Sequence, residues 1–256
     1  MSKKTVKIRN TEIGAGVPKV CVPIVAANIE EMDRALEHLK SVPYDMVEWR
    51  ADFYQGAEEN ETMTKALEHL RRQIKDAPLL FTFRTFAEGG NRAITPEAYR
   101  KINLQAAGSR MVDIVDVELF RGECLTEELV KKLHQYRVCV LGSNHDFHET
   151  PGEDEICRRL CRMQRLNMDI TKIAVMPQRR QDMLTLLAAA VTMEERLADR
   201  PCVTMSMGRD GAFSRVMGGY TGSAITFGTA GKSSAPGQLP AEKLKTVLQI
   251  MSECIG

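Results

Sequence analysis

No stretch of the 256 residues approaches the roughly 18 consecutive apolar positions that a membrane-spanning helix needs. The basic start, Met1 to Lys7, is followed by no apolar run of the kind that forms the core of a signal peptide. Together these absences predict a cytoplasmic protein with no membrane partner. An excess of charge of one sign is also missing: 35 Lys and Arg against 34 Asp and Glu leave a formal net charge of +1. That is too little for long-range attraction to nucleic acid, so any anion binding must be local. The seven cysteines are odd in number, widely spread and contain no CxxC pair. They are expected to be reduced packing thiols. Cys157 and Cys161, four apart on one helix face, have no second ligand pair nearby. With no low-complexity linker, charge block or break in composition, the chain reads as one domain over residues 1–256.

What is present is ordinary globular composition, 43% apolar and 27% charged, arranged with a strong regularity. Eight short β-branched apolar runs alternate with longer stretches of helical periodicity: Lys19 to Val25, Asp45 to Arg50, Leu79 to Arg84, Met111 to Leu119, Arg137 to Ser143, Ile170 to Met176, Pro201 to Met207 and Ser223 to Gly228. Their starts lie 22 to 34 residues apart, the length of one strand plus one crossover helix. Eight such units predict an α/β fold, a single (β/α)8 TIM barrel. A doubly wound open sheet is the alternative, but it leaves two strands as exposed edges, and no GxGxxG follows the first run.

Local signals fill in the frame. Met63, Ala66, Leu67, Leu70 and Ile74 make an apolar stripe at helical spacing, with Glu68, Arg71, Arg72 and Lys75 off it. Thr95-Pro96 starts a second helix. Thr150-Pro151-Gly152-Glu153 is expected to start a third, with Thr150 and Glu153 capping reciprocally. Before the first run, Thr5 to Ile13 alternates apolar and polar residues around Arg9-Asn10-Thr11, which suits a short β-hairpin closing the barrel bottom.

In a barrel the reacting groups gather at the C-terminal ends of the strands. Here those ends carry Glu48-Trp49-Arg50-Ala51-Asp52, Arg84 with Glu88-Gly89-Gly90, Ser143-Asn144-His145-Asp146, Arg215, and Gly231-Lys232-Ser233-Ser234-Ala235-Pro236-Gly237-Gln238. Glu48 and Arg50 share strand parity and can point together into the mouth. Lys172 interrupts an otherwise apolar strand, where a charge is costly unless it is paired or used. A lysine in a barrel wall suggests imine chemistry, for which burial and cations such as Arg84 and Arg215 favour the neutral amine. It lies early in its strand, so its side chain must extend upward past the small Ala174; a lysine snorkelling to solvent is the plain structural alternative. His145 suits a proton shuttle, and Glu88 can orient it. A metal cluster on His145 and His148 is the rival reading, although nothing elsewhere completes a ligand set.

Taken in order, Glu48-Trp49-Arg50, Phe81-Thr82-Phe83-Arg84 with Glu88-Gly89-Gly90, Ser143-Asn144-His145-Asp146-Phe147-His148, Lys172-Ile173-Ala174-Val175-Met176-Pro177, Ser214-Arg215 and Ser234-Ala235-Pro236-Gly237-Gln238 resemble the type I 3-dehydroquinate dehydratases over nearly the full length. The resemblance implies a lyase of the shikimate pathway. Lys172 would form the imine with the substrate's C3 ketone, His145 would act as general acid and base, and Glu88 would support it. Residues matching Glu48, Arg50 and Arg84 would hold substrate hydroxyls. Those matching Arg215, Ser234 and Gln238 would contact the carboxylate end and close the site, with Thr229 to Gln238 as a lid. It implies no metal or organic cofactor, and a homodimer. Two departures stand out: Pro23 replaces a serine that touches substrate in many members, and the loop Gly208-Arg209-Asp210-Gly211 differs. Other functions compatible with the residues are a second lysine-barrel chemistry such as a class I aldolase, a metal-dependent hydrolase, and a catalytically silent binding barrel.

Overall fold

Each of the eight apolar runs forms one strand of a single parallel sheet in a computed structural model that describes residues 5–120, 122–231 and 234–255. A two-stranded antiparallel hairpin comes first, β1 (Val6–Ile8) and β2 (Thr11–Ile13), turning at Arg9-Asn10. The sheet follows in chain order: β3 (Lys19–Ile24), β4 (Met46–Arg50), β5 (Leu79–Thr82), β6 (Ile114–Glu118), β7 (Cys139–Asp146), β8 (Ile170–Val175), β9 (Cys202–Ser206) and β10 (Ile225–Thr229). β10 pairs with β3, Ile225 opposite Lys19. A parallel bridge from Cys202 to Ser223 joins β9 to the start of β10, with the Ala224 N–H donating to the Cys202 carbonyl at 2.8 Å. The sheet thus curls into a ring, and the open doubly wound alternative is excluded. A two-residue strand, β11 (Leu239–Pro240), adds to the end of β10.

Strand parity divides the apolar residues into two cores. Outward residues such as Val47, Trp49, Phe81, Val115, Val140 and Ile173 pack under the helices that connect the strands. Inward residues Cys21, Met46, Leu80, Ile114, Leu141, Ile170, Val203 and Ile225 form one layer across the lower barrel, and Ile8 and Ile13 of the hairpin close it from below. A parallel sheet buried on both faces reads as near-continuous apolar sequence, which is why the strands were visible.

The connecting helices include α1 (Ile29–Leu39), α2 (Asn60–Ile74), α3 (Pro96–Gly108), α4 (Glu123–Gln135), α5 (Glu153–Arg165) and α6 (Arg180–Thr192). In α2 the buried residues are Met63, Ala66, Leu67, Leu70 and Ile74, the whole predicted stripe. Thr95 caps α3 by accepting the Ala98 N–H at 3.2 Å. The reciprocal cap at Thr150 is corrected: α5 begins at Glu153 behind Gly152, which has no side chain to cap with. The Thr150 hydroxyl donates instead to the Met176 carbonyl, and Glu153 accepts from Thr192. Tertiary partners across the barrel took the groups that local pattern had assigned to each other.

Candidate active site

Above the apolar layer, the same inward parity turns polar. Continuing upward from Met46, Leu80, Ile114, Leu141 and Ile170 come Glu48 and Arg50, Thr82, Asp116 and Glu118, Ser143 and His145, and Lys172. Of these, Glu48, Arg50, His145 and Lys172, with side chains of the loops above, surround a cavity of about 480 Å3 of empty space. Its lining includes Glu48, Arg50, Arg84, Glu88, His145, Lys172, Arg215, Ser234 and Gln238, so all nine residues singled out from the sequence come to one place. A larger hollow lies outside it, around Met176, Arg180, Leu184 and Phe213, and holds none of them.

Lys172 is the third residue of β8, in register with Ser143 on β7 and Val203 on β9. It is 4% exposed, so the snorkelling alternative fails, and it shares the cavity with Ala174, whose small side chain leaves the way up open. Its Nζ lies 4.5 Å from the centre of the Phe227 ring, and no carboxylate is within ion-pairing distance among the described residues. Burial lowers its proton affinity and the Arg84 charge adds to that, while Asp116 and Glu48 oppose it. Arg215 is not among the charges that act on it strongly.

β7 runs three residues beyond the predicted end, which puts His145 on the strand wall opposite Ala174. Its Nδ1 is 2.9 Å from Glu88 Oε2, and its backbone N–H donates to that same oxygen at 3.0 Å. With the hydrogen on Nδ1, donated to Glu88 Oε2, Nε2 presents a lone pair to the cavity. Burial, with the positive charges of Arg84, Lys172 and Arg50, holds the imidazole's proton affinity well below its ordinary value. Glu88 is pushed up to about 8, first by burial and then by the charge of Glu118. His148 lies exposed beyond the strand end, and among the described residues no group of three His, Cys, Asp or Glu is placed to hold a metal.

The loop after β5 delivers Glu88. Gly89 sits at φ +77°, and a Cβ there would lie 2.2 Å from the Phe147 ring; a Cβ on Gly90 would lie 1.9 Å from the Arg84 carbonyl oxygen. The two glycines therefore let the loop fold back on itself.

The three arginines differ sharply. Arg50 is held by Asp52 through Nε and Nη2 at 2.8 and 2.9 Å and donates its remaining nitrogen to the Ser234 carbonyl. Arg84 is enclosed by Asp116 at 2.7 Å, Glu118 at 3.0 Å, Ser143 at 2.9 Å and Glu88 at 3.4 Å. Arg215 is 2% exposed and has no carboxylate partner among the described residues. It donates to the carbonyls of Phe227 and Pro236, its Nε is left without a partner, and burial lowers its proton affinity to about 10. A buried cation without a counter-charge is a receptor for an anion.

The segment expected as a lid is partly described: Lys232 and Ser233 lie outside the described residues. Ser234 and Gln238 hydrogen-bond to each other twice, at 2.9 Å each, and Gly208 donates its N–H to the Pro236 carbonyl. The loop that departs from the resembled pattern is thus the seat on which the segment rests. Pro23 faces Glu48 in the ladder but lines a separate hollow with Glu31, Arg34, His38 and Gly231. Its missing N–H is tolerated because β10 pairs with β3 only as far as Cys21.

Sequence reasoning passed over Asp116 and Glu118, both with 0% exposure, and gave no separate role to Asp52 and Ser143, which it named only within the strand-end segments. A signal for two of them was present: Ile114-Val115-Asp116-Val117-Glu118 puts acids on every second position of a strand buried on both faces.

Comparison with known proteins agrees with this arrangement. The sequence model of type I 3-dehydroquinase matches residues 20–254. A 3-dehydroquinate dehydratase from Syntrophotalea carbinolica is 45% identical over 96% of this chain and 98% of its own length. One from Clostridioides difficile is 44% identical over 99% of this chain and the whole of its own. The crystal structure of a type I 3-dehydroquinate dehydratase from Clostridium difficile, carrying covalently modified comenic acid, superposes with a TM-score of 0.95 over 99% of this chain and 100% of that one, at 43% identity. With its barrel, its ring of polar strand ends and this match over nearly all its length, the chain belongs to the type I 3-dehydroquinase family.

Proposed function

We propose that the cavity dehydrates 3-dehydroquinate to 3-dehydroshikimate in the shikimate pathway, through a Schiff base on Lys172. The observation that carries this reading is a buried lysine with no counter-carboxylate, in one cavity with a histidine whose Nε2 is bare. Neutral Nζ adds to the C3 ketone and expels water, leaving an iminium. That cation draws electrons from the C2–H bond, and Nε2 of His145 takes the proton. The proton returns to the C1 hydroxyl, which leaves as water on the same face as the lost hydrogen. Hydrolysis of the product imine consumes one water, so the net release is one. Glu88 keeps the ring oriented and its tautomer fixed.

Substrate placement follows from charge. Arg215, buried and unneutralised, takes the carboxylate; Ser234 and Gln238 close over it; Glu48 and Arg50 meet hydroxyls. Arg84 meets hydroxyls with whatever donor capacity its carboxylates leave. The chemistry needs no cofactor. We further place the protein in the cytoplasm as a homodimer. The composition supports the first, and it agrees with seven cysteines free of disulfides; fractionation tests the compartment, and light scattering the assembly.

The deciding experiment is intact mass after borohydride with 3-dehydroquinate, on the native chain and on Lys172→Ala. An adduct on the native chain alone supports the mechanism. Turnover without an adduct overturns it.

A further inference from the structure

Glu118 does not line the cavity itself but bonds Arg84, which does, and both of its carboxylate oxygens are engaged. Oε1 accepts the Thr85 backbone N–H at 2.8 Å and Arg84 Nη1 at 3.0 Å; Oε2 accepts the Thr85 hydroxyl at 2.8 Å. All three donors belong to the start of the loop that carries Glu88. Thr85 is also the fold-back point of that loop, since its carbonyl accepts the N–H of Glu88 at 3.0 Å and of Gly90 at 2.8 Å. Glu118 itself is fixed: it sits on β6, and its backbone N–H donates to the buried Tyr99 hydroxyl on α3. The carboxylate is therefore a rigid clamp on a loop that has only three residues of regular structure, Phe86–Glu88.

Putting two acids, Asp116 and Glu118, under one arginine with no exposure is expensive, because each charge must be taken out of water. A hydrogen-bonded neutral side chain would hold Thr85 at less cost. We propose that Glu118 is a positioning residue of the dehydration reaction: it fixes the loop so that Glu88 meets His145 Nδ1. This rests on the roles proposed above for Lys172, His145 and Glu88. The charged groups around Glu88 are Arg84 from its own loop, Asp116 and Glu118 from β6, and His145 from β7; Arg84 lowers its proton affinity, and the two acids raise it.

The test compares native chain, Glu118→Gln and Thr85→Val in steady-state turnover of 3-dehydroquinate across pH, with borohydride trapping alongside. Gln keeps the length and an acceptor for the Thr85 N–H but removes the charge. Expected for Glu118→Gln is a fall in kcat of about tenfold with KM within about twofold. The bend in log kcat/KM that reports Glu88 in the free enzyme should move to lower pH, because the like charge of Glu118 that raises Glu88 is gone. Thr85→Val loses one clamp bond and no charge, so kcat should fall by roughly threefold with the bend unmoved. A merely structural Glu118 would lower the amount of folded enzyme and leave the bend in place, and that result overturns the proposal. If Glu118→Gln does not fold, Thr85→Val decides: unchanged kcat overturns the clamp. A native chain that gives no adduct refutes the Schiff-base reading and takes this role with it. Adducts on all three chains with identical kcat and pH profiles remove the Glu118 role alone.

Discussion

The two mouths of the barrel handle carboxylates in opposite ways. At the lower mouth, Asp45, Asp113 and Asp169 each stand just before a strand and accept the N–H of the neighbouring strand: Val20 at 2.7 Å, Leu79 at 2.9 Å and Val140 at 2.8 Å. Each also meets a cation or histidine, Lys245, Arg71 with Arg9, and His134. Their side chains keep 14% to 36% of their surface in water. At the upper mouth, Asp52, Asp116 and Glu118 have none. Acids of the first kind tie ends of strands together at little desolvation cost. Acids of the second kind cost stability, and they hold Arg84 and the start of the Glu88 loop in place.

Lys172→Ala should give the largest departure between the two mouths. Turnover is expected to fall on the order of 10^4-fold or more and the borohydride adduct to vanish, with the melting temperature equal to or above native because a buried charge is gone. Loss of folding would mean Lys172 belongs to the structural set. His145→Ala should lower kcat by about 10^2- to 10^4-fold, the usual weight of a proton-transfer group, while the chain still melts cooperatively.

pH separates the mouths next. Glu88 is raised from 4.5 to about 8, so between those values the folded chain binds more protons than the unfolded one. Stability from this group is full below 4.5 and is lost as pH rises through 8. Glu88→Gln should remove that slope and melt a few degrees higher than native at pH 9, although it turns over poorly. His145, lowered from 6.5, acts the other way and only as pH falls through 6.5, and Lys172 and Arg215 are common to both chains, so the difference between the two chains above pH 7 reports Glu88. An unchanged slope would mean that Glu88 is ionised in the folded chain.

At the lower mouth, Asp113→Asn should cost about 1–3 kcal/mol, seen as a fall of a few degrees in Tm, with kcat unchanged. A change in kcat would show that the two mouths are coupled. The smallest effect is expected for Pro23→Ser. Because Pro23 lines a different hollow, KM should move by less than the roughly fivefold that one hydrogen bond is worth.

Much of this was legible in the sequence for definite reasons. Parallel strands buried on both faces must be apolar over their full length, so eight runs stood out, and Lys172 stood out by breaking one of them. The polar groups at the strand ends, Glu48 to His145, marked the upper mouth because nothing else explains charge there. Other features depended on distant partners. The length of β7, which decides where His145 stands, was set by its pairing with β8 to Asp146 and Val175. The Thr150 cap failed because Met176 and Thr192 offered better partners. The saturation of Arg84 and the freedom of Arg215, alike as letters, came from which acids four strands brought beside each.

The sequence by itself determined the strand count, the closed parallel architecture and which nine residues would line one cavity, because periodicity and residue chemistry are local properties. Only the tertiary structure decided which arginine is neutralised, which nitrogen of His145 is bare, and that Glu118 governs Glu88 from outside the cavity. Those are matters of distance and desolvation between residues far apart in the chain, and no local pattern records them.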